Sequence, residues 1–269
     1  MARVGSAPLR NGGDLRSSFA LALVFAVLAV GHATAARAFP PYRSTDAETA
    51  PPGTLETRLG LLRVERDDHD SRYTSPLLRV NLGIPHDFEL ISELEYDLEG
   101  ARLGDGAVGL KWAPPREPLS FGIETLALLP VSSQHGGLGV EAQALATLRR
   151  PPFRFHANAG GFHDPRLADT ESGWRASLLA EWERGPARLG AEVFAKQVEG
   201  DGAEVLAGPG VIWSLGPLDV RAALHAGLTA EAPDLVANLW LSTEWRLWSV
   251  RPGIGQRRSR ASRRLAAPG

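Results

Sequence analysis

The chain has 269 residues, 43% hydrophobic and 22% charged, which is enough to bury a core and too apolar for a disordered chain; 29 glycines and 20 prolines favour turns over long helices. Cysteine is absent, which excludes disulfides, thiolate metal sites, iron–sulfur clusters and a cysteine nucleophile. The net charge of -2 hides three unlike segments: four arginines against Asp14 in residues 1–38, six arginines and no acid in 249–269, and 19 basic against 30 acidic residues between them, a net of -11 for 39–248.

Residues 1–38 read as a Sec signal peptide. An arginine-bearing start leads into Phe19 to Gly31, an apolar run of thirteen residues, followed by small residues with A-x-A sites that place cleavage after Ala35 or Ala38. The run is short for a membrane-spanning helix, and no later segment reaches eighteen uninterrupted apolar residues. Residues 39–53 are proline-rich and are expected near the periplasmic mouth as a short plug.

From Thr54 to Trp248 apolar and polar residues alternate with period two. In Phe88–Glu99 the residues Phe88, Leu90, Leu94, Tyr96 and Leu98 share one face, and Glu89, Glu93, Glu95, Asp97 and Glu99 the other; a helical step of about 100° would scatter those acids around the circumference. Twelve such runs fall at about 54–65, 73–84, 87–99, 106–113, 118–129, 137–149, 153–162, 172–184, 187–198, 203–214, 217–229 and 235–248. Leu61 and Leu62 break the alternation in the first, and a bulge there restores the register. The runs exceed the five or six residues usual in soluble strands and suit a tilted bilayer crossing of about 9 to 11 residues.

The connections alternate as well. Every second one is short and proline-bearing, and the intervening ones are polar loops such as RDDHDSR, VSSQHGG and HDPRLADTE. Short turns at one rim and longer loops at the other are the outer-membrane pattern, with the short rim in the periplasm. That orientation gathers Phe88, Trp112, Phe121, Phe153, Trp182, Trp213 and Trp245, with Phe155, into an aromatic girdle at the periplasmic rim; Tyr73, Tyr96 and Trp174 form a sparser belt at the other. The sequence therefore predicts an all-β fold: a transmembrane antiparallel β-barrel of about twelve strands, with a polar lumen and short periplasmic turns.

Basic residues on the lipid face would cost about 2–4 kcal/mol each at the midplane, so charge reports the lumen. The expected lumenal set is Arg79, Glu89, Glu93, Glu95, Asp97, Lys111, Glu124, Glu141, His156, Asn158, Arg175, Glu181, Arg188, Glu192, Lys196, Arg221, Glu244 and Arg246. Arg79 and Lys111 are expected to answer the acid row on the third strand in an ion-pair network. Scattered histidines, including His135, His163 and His225, show no ligand spacing, so no metal and no cofactor is expected. An enzymatic alternative is a barrel lipase or esterase in which Ser177, His156 and Asn158 converge; catalysis is not the preferred reading. The arginine-rich tail lacks apolar residues to bury and reads as solvated and disordered, with no nucleic-acid role in an exported protein.

Thr45–Leu62 (TDAETAPPGTLETRLGLL), Gly83–Tyr96 (GIPHDFELISELEY), Gly104–Trp112 (GDGAVGLKW), Ile123–Pro130 (IETLALLP) and Phe155–Gly161 (FHANAGG) resemble the outer-membrane transporter family grouped with the meta-pathway of phenol degradation. The resemblance covers most of the mature chain. It implies an outer-membrane barrel passing small, aromatic or hydrophobic solutes, with outer-membrane lipid and the barrel-assembly machinery as partners. One departure stands out: such barrels usually finish near an aromatic residue, whereas Trp248 is followed by twenty-one more residues. A closed structural barrel without transport is the remaining alternative.

Overall fold

The computed structural model describes residues 41–67, 70–98, 102–130, 137–166 and 170–249. Twelve strands form one closed antiparallel barrel: β1 (Thr54–Asp67), β2 (Asp70–Ile84), β3 (Phe88–Asp97), β4 (Arg102–Trp112), β5 (Leu119–Leu128), β6 (Gly139–Arg150), β7 (Phe153–Asp164), β8 (Glu171–Arg184), β9 (Ala187–Val198), β10 (Ala203–Leu215), β11 (Leu218–Gly227) and β12 (Leu235–Arg246). Each strand pairs with its neighbours in sequence, and β1 closes the ring against β12 from Thr54↔Arg246 to Arg66↔Leu235. Closure leaves the sheet without an edge strand. Among the described residues no helix is long and apolar enough to cross a membrane, which says nothing about a barrel.

The two faces follow the sequence parity. On β3, Glu89 and Ile91 are buried while Leu90 and Leu94 lie exposed on the outer face; on β8, Ser177, Leu179 and Glu181 are buried and Leu178 is 64% exposed. The register of β1 slips between Gly60 and Leu62 against β12, the bulge expected from the Leu61–Leu62 pair, and both leucines stay on the outer face. Below the slip Glu56 and Arg58 point inward; above it Arg63 and Glu65 take over that role.

The rims differ in length of connection. Three residues join β2 to β3, and two residues each join β6 to β7, β8 to β9 and β10 to β11, at what we call the turn rim. In the first of these, His86 and Asp87 both take positive φ, 67° and 64°, the mirror-image turn that suits the twist of a hairpin. The loop rim differs from expectation at its first connection. Arg66 and Asp67 on one side and Asp70 to Arg72 on the other continue the ladder, with Arg66↔Ser71 and Asp67↔Asp70 paired, because pairing satisfies backbone groups that a loop would leave to water.

Aromatic residues crowd the turn rim on the outer face. Trp112, Phe121, Phe153 and Trp213 are exposed there, and Phe88, Trp182 and Trp245 are half-buried. Phe88 sits opposite Trp112 with ring centroids 6.5 Å apart, and Phe153 sits opposite Trp182. Tyr73 and Trp174 are exposed near the loop rim. Rings with an apolar body and, in Trp and Tyr, a polar handle suit a boundary between lipid and water.

A charge at the middle of the outer face tests its environment. Leu178→Arg is expected to lower stability by about 2–4 kcal/mol in lipid vesicles, read as a lower urea midpoint. An unchanged midpoint would mean that this face does not meet lipid.

Candidate functional site: the barrel lumen

The lumen is occupied from its turn-rim end by residues of the chain that precede β1. Gly53 anchors this segment at the seam: its carbonyl accepts from Leu247 N (2.8 Å) and Trp248 N (3.4 Å), and its N–H donates to Gly83 O (2.8 Å). Ala50 N then donates to Glu89 Oε2 (2.6 Å), Ala47 N to Thr147 Oγ1 (2.8 Å) and Thr45 N to Asn158 Oδ1 (2.8 Å), while Asn158 Nδ2 returns a bond to Thr45 O (2.9 Å). Arg43 N (3.0 Å) and Ser44 N reach Glu192. These residues take no regular secondary structure, and Ser44–Ala47 and Ala50 are almost wholly buried.

Side chains of the segment are matched to the wall. Asp46 receives Lys111 Nζ at 3.0 Å, with both side chains fully buried, and Lys111 also donates to Thr45 Oγ1 at 3.2 Å. Glu48 accepts from Arg149 Nε at 2.9 Å and lies 3.5 Å from Arg154. Tyr42 packs with Leu179, Ile212 and Ala223. Its ring fits because Gly190 and Gly210 face it: a Cβ at either position would come within 2.3 Å and 2.5 Å of the phenol. Burial raises the Tyr42 pKa, with Glu181 acting in the same direction, so the hydroxyl stays neutral.

The wall around this segment is an array of ion pairs. They include Arg58–Glu56 (2.6 Å), Arg221–Asp219 (3.1 Å) and Arg188–Glu181 (3.1 Å), and beside them His156 and His225 hydrogen-bond with Glu181 (3.1 Å) and Glu192 (2.9 Å). Toward the loop rim Arg79 meets Glu93 and Glu124, Arg63 meets Glu95 (2.9 Å), and Arg175 meets Glu141. Desolvating these charges is costly, and the geometry offsets it by giving each carboxylate or guanidinium a counter-charge.

Among the expected lumenal residues, Arg79, Glu89, Lys111, Glu124, Glu141, His156, Asn158, Glu181, Arg188, Glu192 and Arg221 are buried, and Glu93, Glu95, Asp97, Arg175, Lys196 and Glu244 are half-buried. Arg246 is exposed, because β12 ends there at the turn rim and water reaches it. The acid row of β3 draws on Arg79 as expected but also on Arg63, while Lys111 serves Asp46 of the inner segment. Lys196 stands 3.6 Å from Glu171 and 5.0 Å over the Phe162 ring.

The lumen is also less polar than the sequence reading held. Phe194 and Trp240 point inward on the parity of Glu192, Lys196 and Glu244, and they are 3% and 4% exposed. Inward Ile91, Ala107 and Leu126 form one apolar cluster, and Phe194, Leu206, Ala232 and Val236 another. Parity alone could have found both aromatics, since each sits an even number of residues from a charged inward neighbour. Attention to charge passed over them.

Ser177, His156 and Asn158 do not assemble as a nucleophile and its base. Ser177 Oγ donates to Asn158 Oδ1 (3.0 Å), and the two ring nitrogens of His156 are taken by Thr147 (3.0 Å) and Glu181 (3.1 Å). Among the described residues no group of three His, Asp or Glu is placed to hold a metal ion.

Beyond the inner segment the loop-side half of the lumen holds a cavity of about 300 Å³. Pro41 to Thr45 line it, with Arg63, Arg79, Glu93, Glu95, Glu124, Glu141 and Arg175, and with Phe194, Leu126 and Trp240 as its apolar side. Arg43 joins the segment to this space: its guanidinium lies 5.0 Å over the Phe194 ring and 3.3 Å from Glu65.

No protein-family model matches the sequence, nor does any curated protein. Solved structures are similar in shape. The KdgM porin is 7% identical and superposes with a TM-score of 0.54 over 71% of this chain and 98% of that one. A porin refined at 1.8 Å is 9% identical with a TM-score of 0.41 (71% and 99% covered), and a loop-deletion form of OmpT, an outer membrane protein of Vibrio cholerae, is 10% identical with a TM-score of 0.36 (72% and 97% covered). The chain shares with the KdgM porin the fold of a closed porin-type barrel.

The Lys111–Asp46 pair can be weighed by a double-mutant cycle. Lys111→Met is expected to cost roughly 3–5 kcal/mol by leaving a buried carboxylate without its ammonium, and Lys111→Met with Asp46→Leu to recover most of it. Costs of Lys111→Met and Asp46→Leu that simply add up in the double variant would show that the pair is not coupled.

Proposed function

We propose that the protein resides in the outer membrane of a Gram-negative-type cell, exported by its Sec leader, and works there as a passive channel for small solutes. The leader and the basic tail lie outside the described residues, so the export part of this reading rests on sequence. The apolar outer face and its aromatic rows support the membrane location. A charged inner face supports a route for polar matter, since lumenal charge sets selectivity in such barrels.

The observation that carries the reading is the loop-side cavity of about 300 Å³, whose turn-rim side is shut by the inner segment. The segment and the buried wall side chains packed around it stand between the cavity and the turn rim, so we read the state described as closed. Phe194 and Trp240 at the cavity support the aromatic or hydrophobic solute suggested by the resemblance to the phenol-pathway transporters. The engagement of Ser177 with Asn158 and of His156 with Thr147 and Glu181 supports transport over hydrolysis.

Planar-bilayer recording tests this. The full protein is expected to pass little current, and a variant lacking residues 39–50 to pass at least several-fold more. Equal currents from the two would remove the segment's role as a plug. No current from either, in barrels that show heat-modifiable gel mobility, would leave a closed structural barrel. Recovery of the protein in a soluble periplasmic fraction would sink the membrane reading altogether.

A further inference from the structure

The inner segment is held in the way a bound peptide is held. Its backbone N–H groups at Arg43, Ser44, Thr45, Ala47 and Ala50 go to wall side chains, those of Glu192, Asn158, Thr147 and Glu89, and none of these bonds belongs to a strand ladder. The barrel meanwhile closes without it, since β1 pairs with β12 and β2 along nearly its whole length. Recognition is also specific to side chains: Lys111 reads Asp46, Arg149 and Arg154 read Glu48, and the gap left by Gly190 and Gly210 reads Tyr42.

We propose that the turn-side half of the lumen is a binding site for an extended peptide with an acidic centre and an aromatic residue at its inner end, and that residues 42–50 are its ligand in cis, able to leave and return. The wall supplies acceptors for backbone amides on β3, β6, β7 and β9, and cations for the two acids on β4, β6 and β7. The carboxylates of Glu89 and Glu192 accept from amides, and charge-assisted bonds of this kind are stronger than neutral ones. Covalent attachment through Gly53 gives the segment an effective concentration in the millimolar range for a short tether, so the site need bind only moderately to stay filled. A wall built to grip amides through side chains gives the occupant a route out that does not break the barrel, which backbone pairing would not. The site stands independently of the channel reading; only its consequence for current rests on it.

The test supplies the ligand in trans. A barrel lacking residues 39–50 is folded in detergent, its closure is checked by heat-modifiable mobility, and a fluorescein-labelled peptide of residues 41–52 (Pro-Tyr-Arg-Ser-Thr-Asp-Ala-Glu-Thr-Ala-Pro-Pro) is titrated by anisotropy. Saturable binding is expected, at least tenfold weaker for the peptide with Asp46→Asn, at least tenfold weaker for the barrel with Lys111→Met, and no weaker still when both changes are combined. Equal binding of a scrambled peptide, or no binding by the closed barrel, would overturn the proposal. Current is recorded separately: binding without current from any form would count against the channel alone, and current without binding against the peptide site alone. Should the shortened barrel not fold, the full chain answers through Ala47→Cys, a single thiol in a protein that has none. Its reaction with a water-soluble maleimide is expected to be slow and to quicken at least tenfold when excess free 41–52 peptide competes for the site. A rate unmoved by the peptide would overturn reversible occupancy.

Discussion

Every backbone amide of a strand immersed in lipid must be bonded within the protein, and the arrangement here meets that demand by joining the first strand to the last. The remaining features depend on that closure. Because the ring has no edge, strands can run to 15 residues without offering a template for aggregation. Because a closed ring has an inside and an outside, one parity of each strand is given to apolar contact and the other to whatever fills the lumen. The outer parity is simple and repeats Leu, Val, Ile and aromatic rings. The inner parity carries nearly all the information that distinguishes this barrel from another of the same strand number.

Inside, charge is plentiful and much of it is buried, and the wall resolves the conflict locally. Carboxylates and guanidiniums meet within one to three strands of each other, as Arg79 of β2 does with Glu93 of β3 and Glu124 of β5. The chain's own leading segment adds further partners to the wall: Asp46 comes to Lys111 and Glu48 to Arg149. Apolar inward residues fill what charge does not, while the inner segment packs the turn-side half and leaves the cavity to the loop-side half. Arg43, Glu65 and Phe194 mark the place where the inner segment meets the cavity.

Much of this was legible in the sequence because strand parity is local. The acid row of β3 declared its face, the rows of Trp and Phe declared a rim, and the Leu61–Leu62 pair declared a bulge. What the bulge does to the residues after it was equally local and still went unread: it turns Arg63 and Glu65 inward, so that Arg63 reaches Glu95. Trp240 and Phe194 were hidden by the habit of reading aromatics as outward, although their parity said otherwise. The partner of Lys111 was out of reach for a different reason. Asp46 lies 65 residues away in a segment with no periodicity, and its position follows from the shape of the lumen and not from any pattern in its own residues. The extension of the β1–β2 hairpin through Asp67 and Asp70 overrode polar composition, since backbone pairing continues as long as a register is available.

The bonds from Leu247 and Trp248 to Gly53 place the root of the inner segment on the seam between the first and last strands. Residues paired between those strands are about 170 to 190 apart in sequence, so their pairing is the step of greatest loop-closure entropy in the molecule. Until β12 arrives, the wall is an open sheet and the segment can lie across it from the side. Once the seam is made, the only ways in are the two mouths. The bonds at Gly53 therefore hold the root of the segment at the seam, so that the rest of it can enter or leave through the turn-rim mouth without the ring being opened.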